Sequence, residues 1–169
     1  MLVKGTEISS FRIVSEESAP GRYAAKELEA YLTRMGLTVG GEFTFTLKID
    51  ADGIGNDGYR ITVEDDGITI CGGNGRGVVY GVYGFLERYA GVRYFTPELE
   101  TLGYPDFAVD EDYTYQSVFE LRQQSWYNAF HSQDWCVKNG VNRVNSMKFS
   151  EEVAEAGTTA TISSTPSTS

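Results

Sequence analysis

Histidine, cysteine and positive charge are scarce in this sequence, and each shortage removes a class of function. There is one histidine, His131, and two cysteines, Cys71 and Cys136. A zinc centre takes three or four imidazole, thiolate or carboxylate ligands at short spacings, so no metal site is expected, and no cofactor motif stands in for one. The two thiols follow no disulfide spacing rule. A bridge between them stays open, and two unpaired structural thiols in a reducing compartment is the plainer reading. Lysine and arginine total 14 against 24 aspartates and glutamates, a net charge of −10. Nucleic acid demands a basic footprint, and an anionic membrane surface attracts basic segments, so neither is an expected partner. No apolar run reaches the roughly 18 residues of a membrane span. The start of the chain, Met1 to Glu7, has no apolar stretch followed by a small-residue cleavage site, which leans the expected location toward the cytoplasm. At 169 residues the chain is also short of a complete (β/α)8 barrel, which takes about 200 to 250 residues or more.

What is present suits one core of ordinary globular composition, 41% hydrophobic and 22% charged, with 19 glycines. Phe11, Ile13 and Val14 mark a first strand within 8–14. Ser18 is placed to cap a helix, with Pro20 in its first turn. Ala24, Leu28, Tyr31, Leu32 and Met35 then fall on one helical face, and Gly36 suits the residue after it. Phe43, Phe45, Leu47 and Ile49 alternate with polar residues as in a half-buried strand. Tyr59–Val63 and Ile68–Cys71 alternate on either side of Asp66-Gly67, which predicts a hairpin. Val79, Val82, Tyr83, Leu86 and Tyr89 form a second helical stripe, ended by Gly91. Val92–Phe95 reads as a last short strand; 98–115 reads as irregular, 117–121 as a short strand and 126–139 as a weak helix. The order β-α-β-β-β-α-β predicts an α+β fold, a two-layer α/β sandwich: one mixed sheet with two helices on one face, followed by an irregular C-terminal segment. The Ser/Thr-rich stretch 151–169 is expected to be disordered.

Several arrangements of reactive residues fail on spacing. Gly72, Gly73, Gly75 and Gly77 stand between a strand and a helix, where a phosphate loop would stand. They end in no Gly-Lys-Ser/Thr, and the Gly-x-Gly-x-x-Gly spacing is not met. A tight structural turn with positive φ and close backbone approach is the expectation. Asp50, Asp52, Asn56 and Asp57 lack the positions of a calcium loop and read as a solvated loop. Glu98 and Glu100, and the run Asp110 to Asp112, read as solvated faces rather than as a glycosidase acid and base. His131 near Cys136 or Asp134 makes a dyad only if the fold joins them. The aromatic segment Trp126, Tyr127, Phe130 and Trp135, with Arg122, Asn128 and Asp134, has the mixed character of a sugar-binding surface.

The runs Asn56-Asp57-Gly58-Tyr59-Arg60-Ile61, Gly72 to Gly77, Val79 to Glu87 and Gly91-Val92-Arg93-Tyr94-Phe95 together resemble one module. It is the non-catalytic α/β domain that precedes the (β/α)8 barrel in family 20 β-N-acetylhexosaminidases and family 67 α-glucuronidases, and the resemblance is strongest to a related family of domain-of-unknown-function 4838 proteins. The resemblance covers roughly residues 8–145. It implies an α/β domain over 1–116 and the start of a barrel over 117–150, with Phe119 to Arg122 in its first strand. It also implies a chain truncated before the catalytic carboxylates, so no catalytic residue carries over and no turnover by this chain alone is expected. Arg122 matches an arginine that reaches the sugar in family 20. Candidate ligand contacts are therefore Arg122, Trp126, Tyr127, Asn128 and Trp135. Candidate partners are a carbohydrate, a missing barrel domain, or a second copy covering the apolar residues of 117–150. The alternative is a stand-alone carbohydrate-binding or interaction module that uses 126–135.

Overall fold

Ser18 opens the first helix as its position predicts. Its backbone is extended and its hydroxyl accepts the Gly21 N–H at 3.1 Å, satisfying one of the donors that a helix start leaves unpaired. The computed structural model describes residues 1–123, 127 and 131–142. In it α1 runs Ala19–Arg34 and buries Ala24, Leu28, Tyr31 and Leu32, with Met35 following. Gly36 turns the chain at φ +93°, a conformation glycine adopts without steric cost.

Three strands precede α1: β1 (Leu2–Val3), β2 (Thr6–Glu7) and β3 (Ser10–Ser15). After it come β4 (Thr38–Ile49), β5 (Tyr59–Val63), β6 (Gly67–Gly72), α2 (Gly75–Arg88), β7 (Arg93–Thr96), β8 (Leu99–Thr101), β9 (Ala108–Val109), β10 (Tyr113–Tyr115) and α3 (Gln133–Lys138). The main sheet has five strands in the order β10-β5-β6-β4-β3. β3 pairs parallel with β4, with α1 as the crossover, and β4 pairs parallel with β6. The β5–β6 hairpin and the β10–β5 pair are antiparallel, so the sheet is mixed. α1 and α2 pack on each other and on the sheet, which gives an α+β fold of two layers. Phe45 sits at the centre, with its ring edge-on to Phe11, Phe43 and Phe85 at 5.9, 5.6 and 5.5 Å. It joins two strands to α2, each ring burying a large apolar area.

The strand pairing departs from the sequence reading at three places. Val92–Phe95 does not join the main sheet: β7 folds back across Thr96-Pro97 and pairs with β8 in a ribbon of its own. The edge of the main sheet beside β5 is taken by β10, from a stretch that reads as irregular. Residues 117–121 form no strand; their carbonyl and hydroxyl groups accept from side chains, as described below. In addition, β1 pairs with β2 and, in parallel, with β9. No helix among the described residues is long and apolar enough to cross a membrane.

Candidate docking site around Asp57

The glycine-rich turn between β6 and α2 is a clasp between loops. Asn74 caps α2, its side-chain oxygen accepting the Gly77 N–H at 2.7 Å. A Cβ on Gly73 would stand 2.3 Å from the Gly55 carbonyl oxygen, and one on Gly77 would stand 2.4 Å from that of Gly58. One on Gly72 would meet the Val78 nitrogen at 2.0 Å, and one on Gly75 the Pro20 ring at 2.7 Å. None of these four glycines has positive φ. The expectation of positive φ is thus corrected. The residues are glycine because the 54–58 loop, α1 and the start of α2 leave no room for a side chain.

That close approach brings Asp57 into the clasp. Asp57 is 2% exposed and lies at φ +60°, a left-handed conformation that aspartate tolerates better than most residues. Its Oδ1 accepts from Asn74 Nδ2 at 3.0 Å and Arg76 Nε at 2.7 Å. Its Oδ2 accepts from Arg122 at 2.9 Å and Asn142 Nδ2 at 2.8 Å. Burial alone would raise its pKa, but hydrogen bonds from Arg76, Asn142 and Asn74 outweigh it and hold the carboxyl below its ordinary value. The reading of Asp57 as a solvated loop residue is overturned. It joins the α/β layer to a segment 65 to 85 positions later.

Arg122 and Asn142 complete this junction. Arg122 donates to Asp57, to the carbonyls of Gly140 at 2.6 Å and Phe119 at 2.8 Å, and to the Ser117 hydroxyl. Asn142 accepts the Arg122 N–H at 2.9 Å and donates to the Glu120 carbonyl at 2.7 Å. Tyr80 of α2 lies under the guanidinium, 5.5 Å from ring centre to Cζ, and its hydroxyl donates to the Val141 carbonyl. Burial pushes that hydroxyl up to about 12. Val118, Phe119 and Leu121 on the same segment face solvent.

A second junction seats α3. Glu100 accepts from the Tyr31 hydroxyl, Arg34 at 3.0 Å and Lys138 at 2.8 Å. Burial raises its pKa, and these three bonds outweigh it and lower it. The reading of Glu100 as part of a solvated face is corrected: its side chain is 22% exposed. Trp135 is half-buried, its indole N–H donating to the Tyr94 carbonyl at 3.0 Å. It borders a cavity of about 120 Å³ with Tyr94, Thr96, Glu100, Asp134 and Lys138. Tyr127 is exposed against His131, with ring centres 4.6 Å apart. Cys136 is buried and its thiol is pushed up to about 11 by burial, the reverse of an activated nucleophile. Cys71 and Cys136 form no disulfide. Trp126 and Asn128, like Phe130 and the 151–169 stretch, lie outside the described residues. Among the described residues no group of three potential metal ligands comes together. The sequence pointed to Arg122 but not to Asn142, and the local signal of Asp57 is the left-handed Asn56-Asp57-Gly58 turn.

Comparisons with known proteins agree with this architecture. Residues 5–87 match the family described as glycosyl hydrolase family 20, domain 2. The family 20 β-N-acetylhexosaminidase of Streptomyces coelicolor A3(2) superposes with a TM-score of 0.57 at 16% identity, over 81% of this chain and 30% of that one. The Streptomyces plicatus β-hexosaminidase gives 0.55 at 17% identity, over 79% of this chain and 29% of that one. A family 89 glycoside hydrolase of Clostridium perfringens gives 0.52 at 23% identity, over 75% and 16%. No curated protein matches the chain. The chain spans three-tenths or less of the length of these structures. The segment 5–87, with its glycine clasp and Asp57 turn, is thus similar to domain 2 of glycosyl hydrolase family 20.

Proposed function

We propose that this chain is the non-catalytic accessory domain of a carbohydrate-active enzyme and that it holds the first segment of an adjoining catalytic unit through Asp57. One observation carries the reading. Asp57, by cationic and amide donors, and Glu100, by two cations and the Tyr31 hydroxyl, are each held low in pKa and spent on anchoring chain segments. A glycosidase acid needs a carboxyl held high so that it carries a proton near neutrality. The domain division 1–116 and 117–150 follows from the same reading, with Arg122 as the anchor of the second part. Val118, Phe119 and Leu121 are then the apolar side chains that the adjoining unit would cover, or a second copy in its absence. The test is hydrolysis of chromogenic β-N-acetylhexosaminides and α-glucuronides by the purified chain. Release at the buffer rate is expected, and saturable turnover refutes the reading.

A second reading, sugar binding by 126–135, is favoured by the Trp135 cavity with its carboxylates, lysine and hydroxyl group. In that case oligosaccharide binding is lost in Trp135→Ala.

A further inference from the structure

Away from the Asp57 junction, the end of α2, the start of β7 and the β5–β10 edge surround an open cavity of about 340 Å³. That volume falls within the range of small-molecule sites. Its lining is Tyr59, Gly84, Glu87, Arg88, Arg93 and Tyr113. Both arginines are fixed in place without being neutralised. Arg93 donates from one nitrogen to the carbonyls of Glu87 and Val92, at 2.6 and 2.7 Å. The Arg88 guanidinium carbon lies 3.9 Å from the centre of the Tyr113 ring, a cation–π contact that orients it. Neither arginine, nor Glu87, is in an ion pair among the described residues. Asp112, on the loop before β10, spends one oxygen on the Val63 N–H at 2.8 Å.

The cavity also has a polar wall. Tyr59 is stacked on Tyr115, with ring centres 5.2 Å apart. Its hydroxyl has no partner among the described residues, and the Tyr94 hydroxyl is the one such group sealed from solvent. The Tyr59 hydroxyl therefore opens into the cavity. Gly84 permits this seat, because a Cβ there would stand 2.0 Å from that oxygen.

We propose that this cavity binds a small organic oxyanion, a carboxylate or a sulfate ester carried on a hydroxylated body. Guanidinium groups held in advance take the oxyanion through charge-assisted hydrogen bonds and lose little side-chain freedom on doing so. The Tyr59 hydroxyl and the Glu87 carboxylate take the ligand's hydroxyl groups. The inference is independent of the anchoring role of Asp57.

Calorimetric titration of the full chain at low salt tests it, with gluconate, glucose 6-sulfate, glucose and inorganic sulfate as probes. Saturable binding of gluconate or glucose 6-sulfate is expected, at least tenfold tighter than glucose and than inorganic sulfate; which of the two anions binds identifies the charged group. Arg88→Gln, at an exposed position, should weaken that binding at least fivefold while lowering the melting temperature by no more than roughly 2–4 °C, the share of its cation–π contact with Tyr113. Tyr59→Phe should weaken it as well. The proposal is overturned if neither organic anion saturates, if glucose or inorganic sulfate binds as tightly, or if Arg88→Gln binds as the parent does.

Discussion

Asp57→Asn isolates the charge at the junction from its geometry. Asparagine has the same shape and tolerates φ +60° as aspartate does. It retains one acceptor oxygen and turns a donating amide toward groups that themselves donate. Four hydrogen bonds converge on the carboxylate, so the substitution disrupts at least the pair on one oxygen and removes the Asp57 charge from both guanidiniums. Removing one partner of a buried ion pair costs about 3–5 kcal/mol. Arg76 and Arg122 keep 24% and 18% of their side-chain exposure, so water offsets part of the loss and the lower end, about 3 kcal/mol, applies. If the chain unfolds as one unit, the melting temperature falls by roughly 6–12 °C. If 117–142 detaches first, amide exchange there rises roughly 150-fold. Thermal melts and hydrogen exchange distinguish these two cases. The pH dependence has a definite sign. Because the folded pKa lies below the ordinary 3.8, the carboxylate's contribution is fully present above the unfolded value and is lost as pH falls through the folded one. The gap between parent and variant should therefore be constant near neutrality and close only in acid below about pH 4. A variant that melts within 1 °C of the parent, with unchanged exchange in 117–142, would refute the assignment of Asp57 as the anchor.

Two further substitutions test the packing around this junction. Gly73→Ala places a methyl group 2.3 Å and 2.6 Å from the carbonyl oxygens of Gly55 and Ile54. Both obstacles are backbone, so chemical denaturation should show a loss of about 1–3 kcal/mol or more; a neutral result would mean that the two loops are not clasped. Glu100→Gln removes the charge that Lys138 and Arg34 share. Arg34 is largely exposed and adds little, so about 1–2 kcal/mol is expected, read as faster exchange in 133–138 with α1 unchanged. Equal acceleration in α1 would count against a local role.

The parts of the fold that were legible are those written in local periodicity and capping. Ser18, Gly36, the Phe43–Ile49 alternation and the β5–β6 hairpin each depend on residues a few positions apart. β10 is three residues long, too short for its alternation to stand out, and it is a strand because β5 offers an open edge. β7 leaves the main sheet because a local turn supplies β8 as a nearer partner. Arg122 was visible as a residue of interest through the resemblance. Its neighbours were not: Asn142 lies 85 positions from Asp57, and Asp57 itself sits in a polar turn of the kind usually left in water. No local pattern marks a carboxylate whose partners come from three separate parts of the chain.

The span closed by Asp57 also biases the order of assembly, by about 1 kcal/mol of loop-closure entropy. Asn74 and Arg76 lie within 19 positions of Asp57, whereas Arg122 and Asn142 lie 65 and 85 positions away. Loop-closure entropy opposes the distant contacts more than the near ones, and synthesis delivers them last. The α/β layer thus forms with one carboxylate oxygen already bound and the other still facing water. That oxygen is withdrawn from solvent as Arg122 and then Asn142 arrive, so the second half of the junction acts as a latch that closes after the first.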